Sequence, residues 1–120
     1  MSSPTQQSTQ HVDTRRQWSQ TEKMAARRAY EGALKRELED TMNAAKDGAQ
    51  KITEPSQLWE LEDWLGKRRR DIDEKYDYRY SVLIMLFARL MYERWITESD
   101  LNGLKEDKIS EIRRILGLSK

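Results

Sequence analysis

Acidic, basic and aromatic side chains are concentrated between residues 57 and 80, in the segment QLWELEDWLGKRRRDIDEKYDYRY. This segment contains carboxylate pairs such as Glu62 with Asp63 and Asp71 with Asp73, and carboxylates can serve acid–base catalysis or bind Mg²⁺ and Ca²⁺. Such pairs also arise by chance in a chain with 21 acidic residues, and no HExxH pair, Gly-rich phosphate loop or EF-hand spacing accompanies them. Cysteine is absent, and the one histidine lies near the N-terminus. We therefore predict no catalytic residue, no metal site and no cofactor, and a protein that is not an enzyme.

The same segment is better interpreted as a binding surface on a helix. An α-helix turns about 100° per residue, so apolar residues at steps of three and four form one buried seam. This seam comprises Leu58, Leu61, Leu65, Ile72 and Tyr76. Trp59 lies about 100° from the seam, in a row with Glu62 and Asp63, and Arg69 lies at the edge of this row. A large ring among charged residues predicts a contact surface.

Two other interpretations of these residues stay open. Trp59 could pack as a core residue against another helix, as we expect for Trp64 and Trp95. The basic run at residues 67–70 could bind nucleic acid together with Tyr78, although acidic residues one turn away could equally make it a solvated helix face. Packing is the default expectation for the tyrosines of YDYRY, and we predict no nucleic-acid partner.

Composition limits the class of protein. With 36% charged and 37% hydrophobic residues, the 120-residue chain has little material for a thick core, which favours a thin helical structure or an oligomer. The 22 basic and 21 acidic residues are interleaved and give a formal net charge of +1, so no global field would attract nucleic acid or an anionic membrane. No apolar stretch approaches the roughly 20 residues that a membrane span requires.

Periodicity and capping signals predict an all-α fold. Residues 1–17 are rich in Ser, Thr and Gln and are expected to be a disordered extension, whereas residues 18–120 form a single domain. A capping box at Ser19 and Glu22 begins a first helix over about 20–52. Thr53, Glu54 and Pro55 then reverse the chain into a second long helix over about 54–92.

The C-terminal residues should complete a compact helical head that includes residues 80–117. Residues 81–92 are apolar around nearly the whole circumference of the helix and must be surrounded by other elements. Thr97 can cap a short helix that Gly103 ends, and a last amphipathic helix should end at Gly117. The architecture is then a long antiparallel helical hairpin with this head at one end.

The hairpin predicts a homodimer. Two long amphipathic helices cover each other only partly, so Leu58, Leu61 and Leu65 would leave apolar surface in water. Because most homodimers are two-fold symmetric, we expect the second helices to pair through these leucines and to bring Trp59 close to the interface.

The segment LWELEDWLGKRRRDIDEKYDYRYSVLI, with WSQTE before the first helix and ITESDLNGLKEDKISEI after the second, resembles the cyanobacterial fluorescence recovery protein family over about residues 18–116. The resemblance implies an all-α homodimer that binds the photoactivated red form of orange carotenoid protein, chiefly through the C-terminal domain of that protein. It implies acceleration of the return to the orange form, detachment from the phycobilisome and recovery of antenna fluorescence. The implied location is cytoplasmic, peripheral to thylakoid membranes through the phycobilisome.

The resemblance also implies site residues. The family's functional patch carries over to Trp59, Asp63 and Arg69, and Leu58 matches an apolar dimer contact. Some members have histidine where this chain has Glu62, so the patch is more acidic here. Apolar residues of the head contribute to partner binding in the family, and Met85 and Phe87 match that region. A dimeric adaptor of the same fold with a different protein partner stays an alternative, and so does, less favoured, a helical nucleic-acid binder.

Overall fold

The computed structural model describes residues 17–117, and these residues form an elongated helical molecule. Its principal extents are 73 × 27 × 26 Å and its radius of gyration is 19.2 Å, compared with about 13 Å for a compact chain of this size. Apart from one isolated bridge between Asn102 and Leu104, the described residues contain no β-structure. The all-α class predicted from the sequence is thereby confirmed. The predicted disordered extension lies outside the described residues except for Gln17.

Helix α1 (Gln20–Gln50) is 31 residues long and begins at the predicted capping box. The backbone N–H of Glu22 donates to Ser19 Oγ at 3.2 Å, and the N–H of Ser19 donates to Glu22 Oε1 at 3.0 Å. These two bonds satisfy donors that a helix N-terminus otherwise leaves unpaired. The helix ends at Gln50, with Lys51 as its C-cap, two residues before the predicted end of about 52.

Helix α2 (Pro55–Lys75) returns antiparallel to α1 after a short turn. Pro55 stands at the first helical position, where its missing N–H leaves no bond unmade. Gln57 Oε1 accepts from the backbone N–H groups of Thr53 and Glu54, at 2.6 and 3.0 Å. These bonds fix the entry of the chain into α2.

The predicted continuous helix over 54–92 is wrong, because residues 76–79 are not helical and separate α2 from helix α3 (Tyr80–Tyr92). Asp77 accepts from the Arg79 guanidinium at 2.5–2.9 Å, a short-range pair that a continuous helix would not make. The Tyr78 ring turns inward onto Tyr30, with centroids 4.8 Å apart. The local pair of Asp77 with Arg79 and the tertiary contact of Tyr78 with Tyr30 together outweigh the helical propensity of the segment, and α3 folds back into the head.

The head packs α3, a 3₁₀-helix (Glu98–Leu101) and helix α4 (Glu106–Leu116) against the first half of α1. The predicted capping box at Thr97 and the left-handed Gly117 after α4 are both present. Alanines on α1 allow the close approach of larger side chains from α3 and α4. The buried cluster comprises Ala26, Ala29, Ala33, Leu83, Leu86, Phe87, Ala88, Leu90, Ile96, Leu101, Ile109 and Ile112.

A buried ion pair closes the head around the start of α1. Lys108 Nζ lies 3.1 Å from Glu22 Oε2 and donates to the backbone carbonyl of Gln17 at 2.6 Å. Burial alone would raise the pKa of Glu22, but hydrogen bonds from the backbone N–H groups of Ser19 and Lys105 and from Lys108 outweigh it and lower that pKa. The carboxylate is therefore held in its charged form and ties α1 to α4.

Candidate partner-binding surface

Both polar and apolar contacts join α1 and α2. Arg68 Nε donates to Thr41 Oγ1 at 2.9 Å, and its Nη2 lies 3.5 Å from Glu37 Oε2. Near the tip of the hairpin, Leu61 approaches Gly48 closely, since a Cβ on that glycine would lie 3.2 Å from Leu61 Cδ1. The side of α2 that faces α1 is therefore centred near Arg68 and Leu61.

This orientation leaves most of the predicted dimer interface in water. Leu58 is 49% exposed and Leu65 is 36% exposed, whereas Leu61 is half-buried and Ile72, at the end near the head, is buried. Trp64, which we expected in the core, is 41% exposed, whereas Trp95 packs against the core as expected. The predicted homodimer requires an apolar seam that the hairpin itself does not cover, and these exposed leucines meet that requirement.

Helix α1 contributes a second exposed apolar stripe, formed by Leu34, Leu38 and Met42. Leu38 and Met42 are both exposed, and the stripe lines a shallow groove of about 380 Å³. Residues of α1 that face α2, such as Thr41, lie about 60–100° from Leu38 and Met42 on the helix. Leu58 and Leu65 deviate from the α1-facing side of α2 by a similar angle. Because the helices run antiparallel, both stripes lie on the same side of the hairpin and form one surface, the hairpin face.

Trp59 lies at the edge of the hairpin face and is 61% exposed, so its sequence-based alternative as a core residue is wrong for the single chain. Glu62 and Asp63 are exposed beside it. Arg69 is also exposed, and its Nε lies 3.8 Å from Asp73 Oδ2. On the helix Arg69 and Glu62 lie between Leu58 and Trp59, so charged groups separate the leucines from the ring. The structure thus places these predicted site residues along one side of α2.

The head residues predicted for partner binding differ from each other. Met85 is 61% exposed on α3, as a contact residue must be. Phe87 is fully buried in the core of the head, so its prediction as a contact is corrected, and its role is to hold α3 in place. Sequence reasoning missed Tyr92, which is 79% exposed two turns after Met85. The spacing of seven residues places Met85 and Tyr92 on the same side of α3, but this pattern is hard to recognise in a segment that is apolar on every side.

The basic run at residues 67–70 is largely paired with carboxylates. Lys67 Nζ lies 3.1 Å from Asp71, Arg69 pairs with Asp73, and Arg68 turns inward toward Glu37. Paired in this way, the run offers little net charge to phosphates, which disfavours the nucleic-acid alternative.

Comparison with known proteins identifies the family of this chain. The family model described as "Photoprotection regulator fluorescence recovery protein" matches residues 18–116. The chain belongs to the fluorescence recovery protein family. A curated relative, the fluorescence recovery protein of Synechocystis sp., is 38% identical over 101 residues, which cover 84% of this chain and 93% of the relative.

Solved structures of fluorescence recovery proteins share the fold. The protein from Fremyella diplosiphon is 36% identical and superposes with a TM-score of 0.78, covering 86% of this chain and all of that one. The protein from Synechocystis sp. PCC 6803 is 37% identical and superposes with a TM-score of 0.80, covering 85% of this chain and all of that one. The chain is thus similar over nearly its whole described length to cyanobacterial proteins of this family.

Family membership gives the chain a photoprotection-related role in a family of regulators rather than a known class of enzymes. Among residues 17–117, no helix is both long and apolar enough to cross a membrane, and no cluster of three potential metal ligands occurs.

Proposed function

We propose that this protein is a dimeric regulator that binds the photoactivated red form of orange carotenoid protein, through the C-terminal domain of that protein. Binding accelerates its return to the orange form and promotes its detachment from the phycobilisome, which restores antenna fluorescence. The protein would work in the cytoplasm, peripheral to thylakoid membranes through the phycobilisome. The observation that carries this proposal is an exposed Trp59, bordered by charged residues and by an uncovered leucine seam, in a chain of the fluorescence recovery protein family.

The hairpin face supports the homodimer in this proposal. Leu58 and Leu65 of α2 and Leu38 and Met42 of α1 are exposed side chains on one side of a thin rod. A second copy, related by a two-fold axis, would bury this face against itself. The interface would leave Trp59 at its border, where a third protein can reach the ring.

The side chains of the Trp59 surface suit protein recognition. The indole supplies a large, rigid apolar anchor, and the charged groups of Asp63 and Arg69 orient complementary charges on the partner. Glu62 makes the surface more acidic than in relatives that carry histidine, so the proposed partner face is correspondingly more basic. On the head, Met85 offers a second apolar contact. None of these contacts requires a covalent step.

The proposed acceleration limits how the protein binds. A protein that bound only the red form would stabilise it and slow its return, so the free energy of the transition state must be lowered more than that of the red form. Holding the C-terminal domain in an orientation that favours docking of the N-terminal domain meets this condition. The orange product must bind weakly, so that one dimer acts repeatedly.

The test is to photoconvert orange carotenoid protein and to follow its absorbance in darkness with a sub-stoichiometric amount of this protein. Faster recovery, with each dimer acting on more than one carotenoid protein, is the expected result. Unchanged recovery in the presence of a folded dimer would contradict the proposal, and the same dimer would then be an adaptor for a different protein.

A further inference from the structure

A second surface with charged and aromatic side chains lies on the head, away from the Trp59 surface. It is an open groove of about 540 Å³ between the first turns of α1 and the non-helical segment that precedes α3. We call it the head groove. Its lining includes three cations of α1, Lys23, Arg27 and Arg28, and two tyrosines, Tyr78 and Tyr80. The position on α1 that lies opposite Trp59 is about 23 residues from Arg27, or about 35 Å along the helix.

Two of the three cations of the head groove lie against aromatic rings, and the third is held by a backbone carbonyl. The guanidinium carbon of Arg27 lies 3.8 Å from the Tyr78 ring centroid, and Lys23 Nζ lies 5.6 Å from the Tyr80 ring centroid. Cation–π contacts of this kind position a charge without neutralising it. Arg28 is fixed by donating to the backbone carbonyl of Asn102 at 3.0 Å. The N-terminus of α1 adds a partial positive charge at the same end of the groove.

One carboxylate limits this positive charge to part of the groove. Glu31 is the acidic residue among those lining it, and its carboxylate lies 3.8 Å from Arg27 Nη1. The groove therefore has a positive end near Lys23 and a mixed end near Glu31. A uniform polyanion would meet repulsion at Glu31, whereas a ligand with a few separate carboxylates would not.

The groove also offers apolar surface. Met24 is 61% exposed within it, and the Tyr78 and Tyr80 rings form its other wall. Burial, followed by interactions with Tyr80, raises the pKa of Tyr78 to about 12, so the phenol is neutral at physiological pH. The Tyr78 hydroxyl is shielded from solvent.

From this arrangement we infer that the head groove binds an acidic segment of a protein partner. Carboxylates of that segment meet Lys23, Arg27 and Arg28, and a neighbouring apolar side chain covers Met24 and the tyrosine rings. The identity of the partner, orange carotenoid protein, rests on the proposed function, whereas the chemistry of the groove does not. Contacts in this groove and at Trp59 would together hold one partner at two points, which raises affinity beyond that of either contact alone.

The first test uses a fluorescein-labelled peptide in which glutamate and leucine alternate, with glutamine replacing glutamate in a control peptide. Binding is measured by fluorescence anisotropy to the full chain and to the double variant K23E/R27E. The variant K46E/K51E makes the same charge change at exposed positions of the opposite end of the hairpin. Circular dichroism checks that all three proteins are equally helical.

We expect the acidic peptide to bind the full chain and K46E/K51E equally, and K23E/R27E at least tenfold more weakly. The glutamine peptide should bind none of them measurably. Equal binding of the acidic peptide to both variants would overturn the inference. Tripolyphosphate is then tested as a competitor of the peptide. If it binds at lower concentrations than the peptide does, the ligand is a phosphate rather than an acidic segment, and the inference is overturned.

The second test repeats the dark-recovery experiment with the same variants. If the unmodified chain accelerates recovery, K23E/R27E should accelerate it at least fivefold less, and the rate with this variant should depend much less on salt concentration. K46E/K51E should match the unmodified chain in both respects. Equal acceleration by both variants would exclude the groove from binding the carotenoid protein and overturn the inference for that partner. No acceleration by the unmodified chain would instead contradict the proposed function, and the peptide experiment would still decide whether the groove binds acidic segments.

Discussion

Lys75 Nζ lies 2.7 Å from Glu37 Oε1, and both side chains are at most 5% exposed. Their pair joins the end of α2 to the middle of α1, where the hairpin meets the head. Tyr76 donates to the same carboxylate at 2.9 Å, and Lys75 also donates to Glu93 at 2.6 Å. A buried charge is expensive unless it is paired, so the charges of this network depend on one another.

Lys75→Met should therefore lower the free energy of unfolding by about 3 kcal/mol, because it leaves the carboxylate of Glu37 buried with less compensation. Urea unfolding followed by circular dichroism measures the change. Lys67→Met is the matched control, since the pair of Lys67 with Asp71 is exposed and worth about 0–1 kcal/mol. Equal losses in the two variants would show that burial does not make the Lys75 pair special.

Leu58→Glu should convert the proposed dimer into a monomer, because it places a charge within the hairpin face. Leu38→Glu should do the same from α1, since both stripes lie on the same side of the hairpin. The measurement is mass by light scattering after gel filtration. Ser56→Glu adds the same charge at an exposed position about 160° from Leu58 on the helix and should leave the dimer intact. A dimer that survives both leucine variants would place the interface elsewhere.

The helices, their caps and the chain reversal could be predicted because local signals carry them. Ser19 with Glu22, Pro55, Thr97 and Gly117 each lie where the sequence analysis placed them. The break at residues 76–79 could not be predicted, because it depends on the contact of Tyr78 with Tyr30, a ring that is distant in sequence. Periodicity indicates which residues share a side of a helix, but it does not indicate where a tertiary contact ends that helix.

The residues of the candidate site likewise include some that the sequence pattern predicted and some that it did not. The pattern placed Trp59, Glu62 and Asp63 outside the leucine seam, and all three are exposed. It did not separate Phe87, which is buried, from Met85, which lies two positions away in the same apolar helix and is exposed as expected. When every side of a helix is apolar, the sequence does not indicate which side faces solvent, and the packing of α4 and α1 decides it.

Trp59→Ala should abolish most of the proposed acceleration of recovery while leaving the proposed dimer and the helix content of the chain unchanged. The side chain is 61% exposed in the single chain, so its loss is expected to affect partner binding more than folding. The measurements are dark recovery, partner affinity and light scattering. Trp64→Ala removes an exposed ring from a different side of α2 and serves as the control. Equal effects of the two substitutions would contradict a specific role for Trp59.

Gly103→Ala should destabilise the head by about 2 kcal/mol, because the backbone there has φ of +111° and an added Cβ would lie 2.7 Å from the Cβ of Ala25. The control is Gly66→Ala, whose Cβ would meet Arg70 Nη1 at an ordinary 3.6 Å within α2. That substitution should raise the free energy of unfolding by about 1 kcal/mol, the usual difference between glycine and alanine in a helix. Thermal unfolding followed by circular dichroism compares the two. If both variants lose stability equally, the close approach at Gly103 is not what constrains it.

Acid should destabilise the head through two carboxylates whose charged forms are held by the fold. Burial would raise the pKa of Glu93, but hydrogen bonds from Lys75 and Arg89 outweigh it and lower that pKa, as the contacts of Glu22 do for its own. A carboxylate with a lowered folded-state pKa contributes stability above its unfolded pKa of about 4.3, and this contribution is lost as the pH falls through the folded value. The melting temperature should therefore fall steeply below about pH 4.5. Glu22→Gln and Glu93→Gln should each be less stable at pH 7 and show a shallower fall with acid, whereas Glu60→Gln, at an exposed position, should follow the unmodified chain. Parallel curves for all four proteins would mean that other groups cause the acid sensitivity of the head.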